Sequence, residues 1–504
     1  MSRGPAVGLF VLLFASYAYF YQAGGWNQNS RFSLVRAITN EHSLRIDPFQ
    51  ASTGDKAYFE GHFYSDKAPG VSLMAAPVVF LARPILRAAG GDPESYGGIA
   101  FLSWLATVMT SGFMTALAAV VLYRVCVTLG VSESGALFGA MTYGLASPIW
   151  PLATLFLGHA VSAACLVIAF AAAVWIQPRE RTTARLHDTY WVVDERQRDI
   201  QLGLLVGVGG GWATVCEFPA AVPAAIIAAF AAVQARKLGQ PRAAYVIASV
   251  VTGAVACAAA LMIYQYVCFG SPFHVAYTSE AGFEAMQQGF FGVRTPDAGR
   301  LRAVLFGQYR GLLFIAPAFA LAPIGFAIAF ARAPQARAPM TVAALVAAYY
   351  VLLNASYTYW EGGWSYGPRH LSPAIPFLAC GLAWLWAQPS RAIRGMLATL
   401  TVIGFALAFL AVSTMAQPPA EYQRPVAELL WPAFRDGDLS LNTQRFTDGG
   451  SNGGALRAHR IPKAAWNVGM KLGLEAHASL VPLAIIWLAC GFWIIAAQSR
   501  VHDR

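Results

Sequence analysis

The stretch RIDPFQASTGDKAYFEGHFYSDKAPG, residues 45–70, sets Asp47, Asp55, Lys56, Glu60, His62, Asp66 and Lys67 between two apolar segments. Carboxylates, an imidazole and ammonium groups in this density are what a phosphate-handling or acid/base site needs. The chain on either side is far from polar. Of its 504 residues, 57% are hydrophobic and 12% charged, about half the charged share of a soluble domain. Several segments exceed eighteen apolar residues, long enough to cross a bilayer. Lipid offers open backbone groups no partners, so such spans are helical. Their alanine-rich runs lack the alternation of a β-barrel. The reading is an all-α, polytopic transmembrane bundle with a polar first loop.

Apolar segments fall at about 5–24, 99–123, 134–150, 152–176, 201–216, 219–234, 243–268, 311–332, 338–354, 371–388, 394–416 and 479–497, which predicts twelve crossings. The first has no small-residue cleavage site before Trp26 and reads as a retained helix. Segment 71–89 is a thirteenth candidate, with Arg83, Pro84 and Arg87 in its second half. If it stays on the outer face and the N-terminus is cytoplasmic, six basic loops lie inside: Arg124, the arginines of 177–200, Arg236 to Arg242, Arg332 to Arg337, Arg391 to Arg394, and the tail. That satisfies the positive-inside rule. The alternative is that 71–89 crosses and one of the short segments in 134–176 or 201–234 does not.

This topology puts 25–98, 269–310, 355–370 and 417–478 on one outer side, with both termini cytoplasmic. Residues 1–416 form the transmembrane module with its first outer loop at 25–98. Residues 417–478, including DGGSNGG at 448–454, form an outer loop, and 479–504 the last helix and tail. The formal net charge of +10 follows from the basic inner loops and anionic lipid, and no nucleic-acid motif accompanies it. The seven cysteines sit in or at the ends of apolar segments and read as small core residues. No Walker A, Rossmann, HExxH or GxSxG pattern is present, so no cofactor is predicted.

Phe32, Leu34, Val35, Ile38 and Leu44 predict an amphipathic helix near 30–43, lying on the membrane surface. After it, Asp47, Asp55 and Asp66 are candidate general bases, with His62 beside them, and Lys67 is a candidate phosphate-binding cation. A plain solvated loop has the same composition. His159, in ATLFLGHAVSAACL, and Glu217, in WATVCEFPAAV, are lone ionisable groups near span ends, where a partner is expected. YTYWEGGWSYGPRHLSPAIPF, residues 357–377, gathers Trp364, Tyr366, Arg369 and His370. An aromatic belt explains the rings, whereas the Arg-His pair suits a sugar phosphate. Arg294, Arg302, Tyr309 and Arg310 are weaker candidates.

GHFYSDKAPGVSL (61–73), after an acidic loop and before many spans, resembles the GT-C glycosyltransferases, nearest the protein mannosyltransferase and aminoarabinose transferase type. SDKAPG is similar to their Lys-Pro-Pro element, and EGGWSYGPRHLSPAIPF to a later motif. The resemblance implies transfer of a sugar, with inversion, from a polyprenyl-phosphate carrier to a lipid, glycan or protein acceptor outside a bacterial inner membrane. It also implies a first-loop carboxylate as base, with Lys67 near the phosphate; Arg369 is read beside it as a second cation stabilising the charge that develops there. One departure matters. The carboxylate expected before the Arg31-Phe32 pair is replaced by Asn27, Gln28, Asn29 and Ser30. The base then falls to Asp47, Asp55 or Asp66, and Asp55, in the polar middle of the loop, is favoured. A divalent metal suits such chemistry but has no clear ligand set here. The rival reading is a transporter or flippase of lipid-linked sugars, which predicts midplane charges and repeat symmetry.

Overall fold

A computed structural model describes residues 4–178, 194–280, 290–448 and 462–502. Arg179, Arg181 and Arg185 of the 177–200 loop, and the DGGSNGG run beyond Asp448, lie outside the described residues. The chain is 72% helical. Among the described residues, nine helices are long and apolar enough to cross a membrane, and Gly4–Ala18 and Pro317–Arg332 are shorter apolar helices.

The first helix is α1 (Gly4–Ala18), followed by strand β1 (Phe20–Tyr21) and helix α2 (Trp26–Asn40). A hairpin of β2 (Lys56–Phe59) and β3 (His62–Ser65) comes next, then α3 (Gly70–Ala88). The hairpin turns on Glu60 and Gly61, both at positive φ (48° and 85°), the two-residue geometry that matches strand twist. Prolines and glycines shift several predicted boundaries. The SPIWP break separates Glu133–Leu145, Ile149–Ala153 and α8, Gly158–Trp175, so the predicted 152–176 span starts six residues late. The predicted 311–332 span is divided at Pro317 into Leu312–Ile315, Pro317–Leu321 and Ala322–Arg332.

Helix α9 (Glu195–Cys216) packs along α11 (Arg242–Phe269) through small residues, the usual way apolar helices approach one another in lipid. A Cβ added at Gly207 would lie 2.2 Å from the Val250 carbonyl oxygen. The opposite face of α11 leaves Val251, Val255, Ile263 and Val267 exposed, as a lipid-facing surface requires.

The four long polar segments meet at one end of the bundle. Ala57 bridges Glu280, and Val293 bridges Tyr357. The Tyr309 hydroxyl donates to the Ala420 carbonyl at 2.9 Å, and the Gly24 amide donates to Gln444 at 2.9 Å. β1 pairs antiparallel with Trp466–Asn467. Helix α3 has both ends in this layer. Gly70 packs on the backbone of Cys216, while Arg83 reaches Glu94 at 2.7 Å, which also holds Arg36 of α2 at 3.1 Å. By length and composition α3 is also one of the nine helices able to cross a membrane.

Helix α2 differs from expectation. It starts at Trp26 and is covered by protein on both faces, so it does not lie on a membrane surface. The reason is its polar first turns. Asn27, Gln28, Asn29, Ser30 and Arg31 are all buried, and each needs a partner. Asn29 donates to Ser52 at 2.7 Å and Arg445 at 2.9 Å, and Gln28 donates to Gln417. Segment 417–448 supplies several of these partners and is thereby docked on the first loop.

Candidate active site

Lys67 lies two residues past the end of β3, and its Nζ lies 2.6 Å from Asp66 Oδ2 and 3.0 Å from Asp55 Oδ2. The hairpin makes this pairing, because Lys56↔Ser65 register brings the residue before β2 against those after β3. Ser30 of α2 donates to Asp66 Oδ1 at 3.2 Å, so both oxygens of this fully buried carboxylate are engaged. Burial opposes the Lys67 charge, but Asp55 and then Asp66 outweigh it and hold the ammonium well above the usual lysine range. Burial raises the Asp66 carboxyl, while Lys67 pulls it back down.

A second ion pair lies beneath. Arg31, 1% exposed, donates through Nη2 to Glu217 Oε1 at 2.7 Å, through Nη1 to the Ala68 carbonyl at 2.8 Å, and through Nε to Asn27 at 3.0 Å. Glu217 sits at the break between α9 and α10 (Ala221–Arg236), facing the start of α8. Only glycine fits there, since a Cβ at Gly158 would lie 2.1 Å from Glu217 Oε1. His159 Nδ1 is 3.4 Å from the same oxygen without hydrogen-bond alignment, and its Nε2 is 3.4 Å from His370 Nδ1. The His370 ring stands edge-on to Tyr357 at 4.8 Å.

Arg369 and Lys67 both act electrostatically on His370, which burial and these cations hold well below the ordinary histidine range. Tyr357 senses Lys67, Arg369, Glu280 and Glu217 together. Asp55, Asp66, Lys67, His159, Glu217, Arg369 and His370 therefore share one polar cluster at the loop end of the bundle. Arg369 Nε is buried without a hydrogen-bond partner among the described residues. Arg310, fully buried, is held by the carbonyls of Gly363 at 2.9 Å and Pro418 at 3.4 Å, and stacks on Tyr309 at 4.1 Å. Burial lowers it to about 10. Arg369 adds to that depression, so the two cations are neighbours.

Other predicted residues stand apart. Asp47 pairs with His62 at 2.9 Å and accepts from the Phe63 amide at 2.6 Å, at the turn end of the hairpin. Both side chains are more than a third exposed. The four residues from His62 to Asp66 span about 13 Å at strand rise. Tyr366 is buried in the apolar core, and Trp364 packs against that core. A cavity of about 520 Å³ lined by Ile38, His42, Arg45, Tyr64 and Val267 lies beside α2, and none of the cluster's residues lines it. Among the described residues, no three metal-ligating side chains gather.

Two participants were not singled out in the sequence, Arg31 as the partner of Glu217 and Glu280, while Arg310 stood only among the weaker candidates. The Glu280 carboxyl is raised to about 8 by burial, then by Asp66. Its signal was weak, one of two glutamates in a loop of scattered charges.

No protein-family model matches the sequence, and no curated protein is significantly similar to it. In structure the chain is similar to the aminoarabinose transferase ArnT of Cupriavidus metallidurans, solved bound to undecaprenyl phosphate. The TM-score is 0.50 at 15% identity, over 98% of this chain and 75% of that one. The apo state of ArnT gives 0.43 at 14% identity, over 97% and 74%. The oligosaccharyltransferase of Archaeoglobus fulgidus in its apo form gives 0.44 at 11% identity, over 82% and 56%. On the near full-length match to ArnT, the chain has the GT-C fold of membrane glycosyltransferases.

Proposed function

We propose that this protein is an integral-membrane glycosyltransferase that takes a sugar from a polyprenyl-phosphate carrier and transfers it to a lipid, glycan or protein acceptor on the extracytoplasmic face of a bacterial inner membrane. The observation that carries the reading is Arg369, half-buried, with its Nε buried and without a hydrogen-bond partner among the described residues; it neighbours Arg310 and acts with Lys67 on His370 at the loop end of the bundle. Arginine's planar fork suits a phosphate. Transfer breaks the bond from the anomeric carbon to the phosphate oxygen, and negative charge collects on the carrier phosphate. Fixed cations in a site shielded from water stabilise that charge most. ArnT, the structural neighbour, was solved with undecaprenyl phosphate, a carrier of this class.

In this reading Asp55 and Asp66 act through Lys67, fixing its ammonium. This differs from the expectation that Asp55 is the base, because Asp55 contacts Lys67 at 3.0 Å. Arg31, Glu217 and His159 support the floor of the site. Asp47 and His62 form an outlying pair on the hairpin.

The test is purified protein in liposomes with a panel of radiolabelled polyprenyl-phosphate sugars, following release of free carrier phosphate. Release by the wild type that Lys67→Ala and Arg369→Ala both lose supports the transferase. Movement of intact carrier between leaflets without release turns the reading to the flippase.

A further inference from the structure

Three carboxylates face Lys67, and they are not equivalent. Asp55 and Asp66 contact its ammonium at 3.0 and 2.6 Å, and Asp66 has its other oxygen bound by Ser30. Glu280, on a different loop, acts on the same ammonium electrostatically and without contacting it. Its backbone is fixed by an antiparallel bridge to Ala57, in the middle of β2. Its Oε1 is buried and has no hydrogen-bond partner among the described residues. A carboxylate that must take up a proton needs a free lone pair, and this one has it.

We infer that Glu280 is the catalytic base that receives the proton of the acceptor nucleophile. The inference rests on the glycosyltransferase reading and extends it to the acceptor side. The acceptor's oxygen or nitrogen forms the bond to the anomeric carbon. The bond from that carbon to the phosphate oxygen breaks, and its electron pair stays on the carrier phosphate near Lys67 and Arg369. The acceptor's proton passes to Glu280 Oε1 and afterwards to water. No further reactant is needed, and atoms and charge balance.

The surroundings suit the role. Burial raises the Glu280 carboxyl to about 8, Asp66 and Asp55 add to the rise, and Lys67 opposes it. Tyr357 senses its charge from the 355–370 segment. A base is most effective with a pKa near the working pH. Because the active form is the ionised one, kcat/KM rises with pH through about 8 and levels above it.

The experiment compares wild type, Glu280→Gln and Glu280→Asp in liposomes, measuring retention of radiolabelled donor, carrier release and the pH profile of kcat/KM. The expected result for Glu280→Gln is unchanged donor retention, turnover lower by roughly 10²–10⁴-fold, and loss of the alkaline rise. Glu280→Asp recovers part of the rate and keeps the rise. Turnover of Glu280→Gln at the wild-type rate, or slower turnover with the rise intact, overturns the inference and leaves the transferase class standing. Absence of release by the wild type with every donor overturns the transferase reading, and this inference falls with it.

Discussion

Replacing Lys67 by alanine separates stability from chemistry in this site. The Lys67 side chain is 12% exposed, and its partners Asp55 and Asp66 are 9% and 0% exposed. Lys67→Ala leaves two adjacent carboxylates with no contacting cation, Asp66 keeping the Ser30 hydroxyl as donor. Removing one partner of a buried pair costs about 3–5 kcal/mol, chiefly through the stranded charge. Asp66 escapes by taking a proton. Its carboxyl already lies above the ordinary value through burial, and loss of the Lys67 attraction raises it further. A carboxyl raised in the folded state favours folding below its unfolded pKa, and that contribution is lost as pH rises through the folded pKa. The deficit of Lys67→Ala is therefore large at neutral pH and shrinks towards about pH 4. The assay is unfolding of both proteins in detergent at the two pH values. Adding Asp66→Asn to Lys67→Ala recovers much of the stability at neutral pH, while carrier release stays absent. A deficit under about 1 kcal/mol, the range of a solvated pair, or one equal at both pH values, would falsify the buried-cluster argument.

Other perturbations have distinct signatures. Arg369→Lys keeps the charge and loses the planar fork, so carrier release falls by roughly 10²-fold with little change in unfolding, read by single-turnover kinetics. Asp47→Asn removes a pair that is more than a third exposed, so stability changes by no more than about 1 kcal/mol and carrier release is unaltered. A large loss of release in that variant would return Asp47 to the site. Gly207→Val drives a side chain into the Val250 carbonyl, which a Cβ alone would approach to 2.2 Å. Separation of α9 from α11 is expected, seen as aggregation on size exclusion; a monodisperse variant would contradict that packing.

The amino-acid sequence by itself determined the architecture. Apolar runs too long for anything but helices, and a polar first loop, required a polytopic bundle. The run from Ser65 to Gly70 and the Arg369-His370 pair were legible for a local reason. Charges crowded beside an apolar segment stand out in any window of the chain.

Only the tertiary structure decided what those groups do. Asp47, Asp55 and Asp66 look alike in one dimension. A two-residue turn at Glu60-Gly61 brings Asp55 and Asp66 onto Lys67 and leaves Asp47 with His62 at the far end. Glu217 finds Arg31 across 186 positions, and Glu280 meets the hairpin through one backbone bridge to Ala57. Neither contact leaves a periodicity or a motif in the chain. Helix α2 makes the same point: its apolar spacing suits a membrane surface, yet Asn27 to Arg31 are satisfied only inside the protein. Composition and periodicity report how a segment partitions between water, lipid and core. Which two buried polar groups satisfy each other depends on chain reversals and packing between distant elements, and that is set by the fold as a whole.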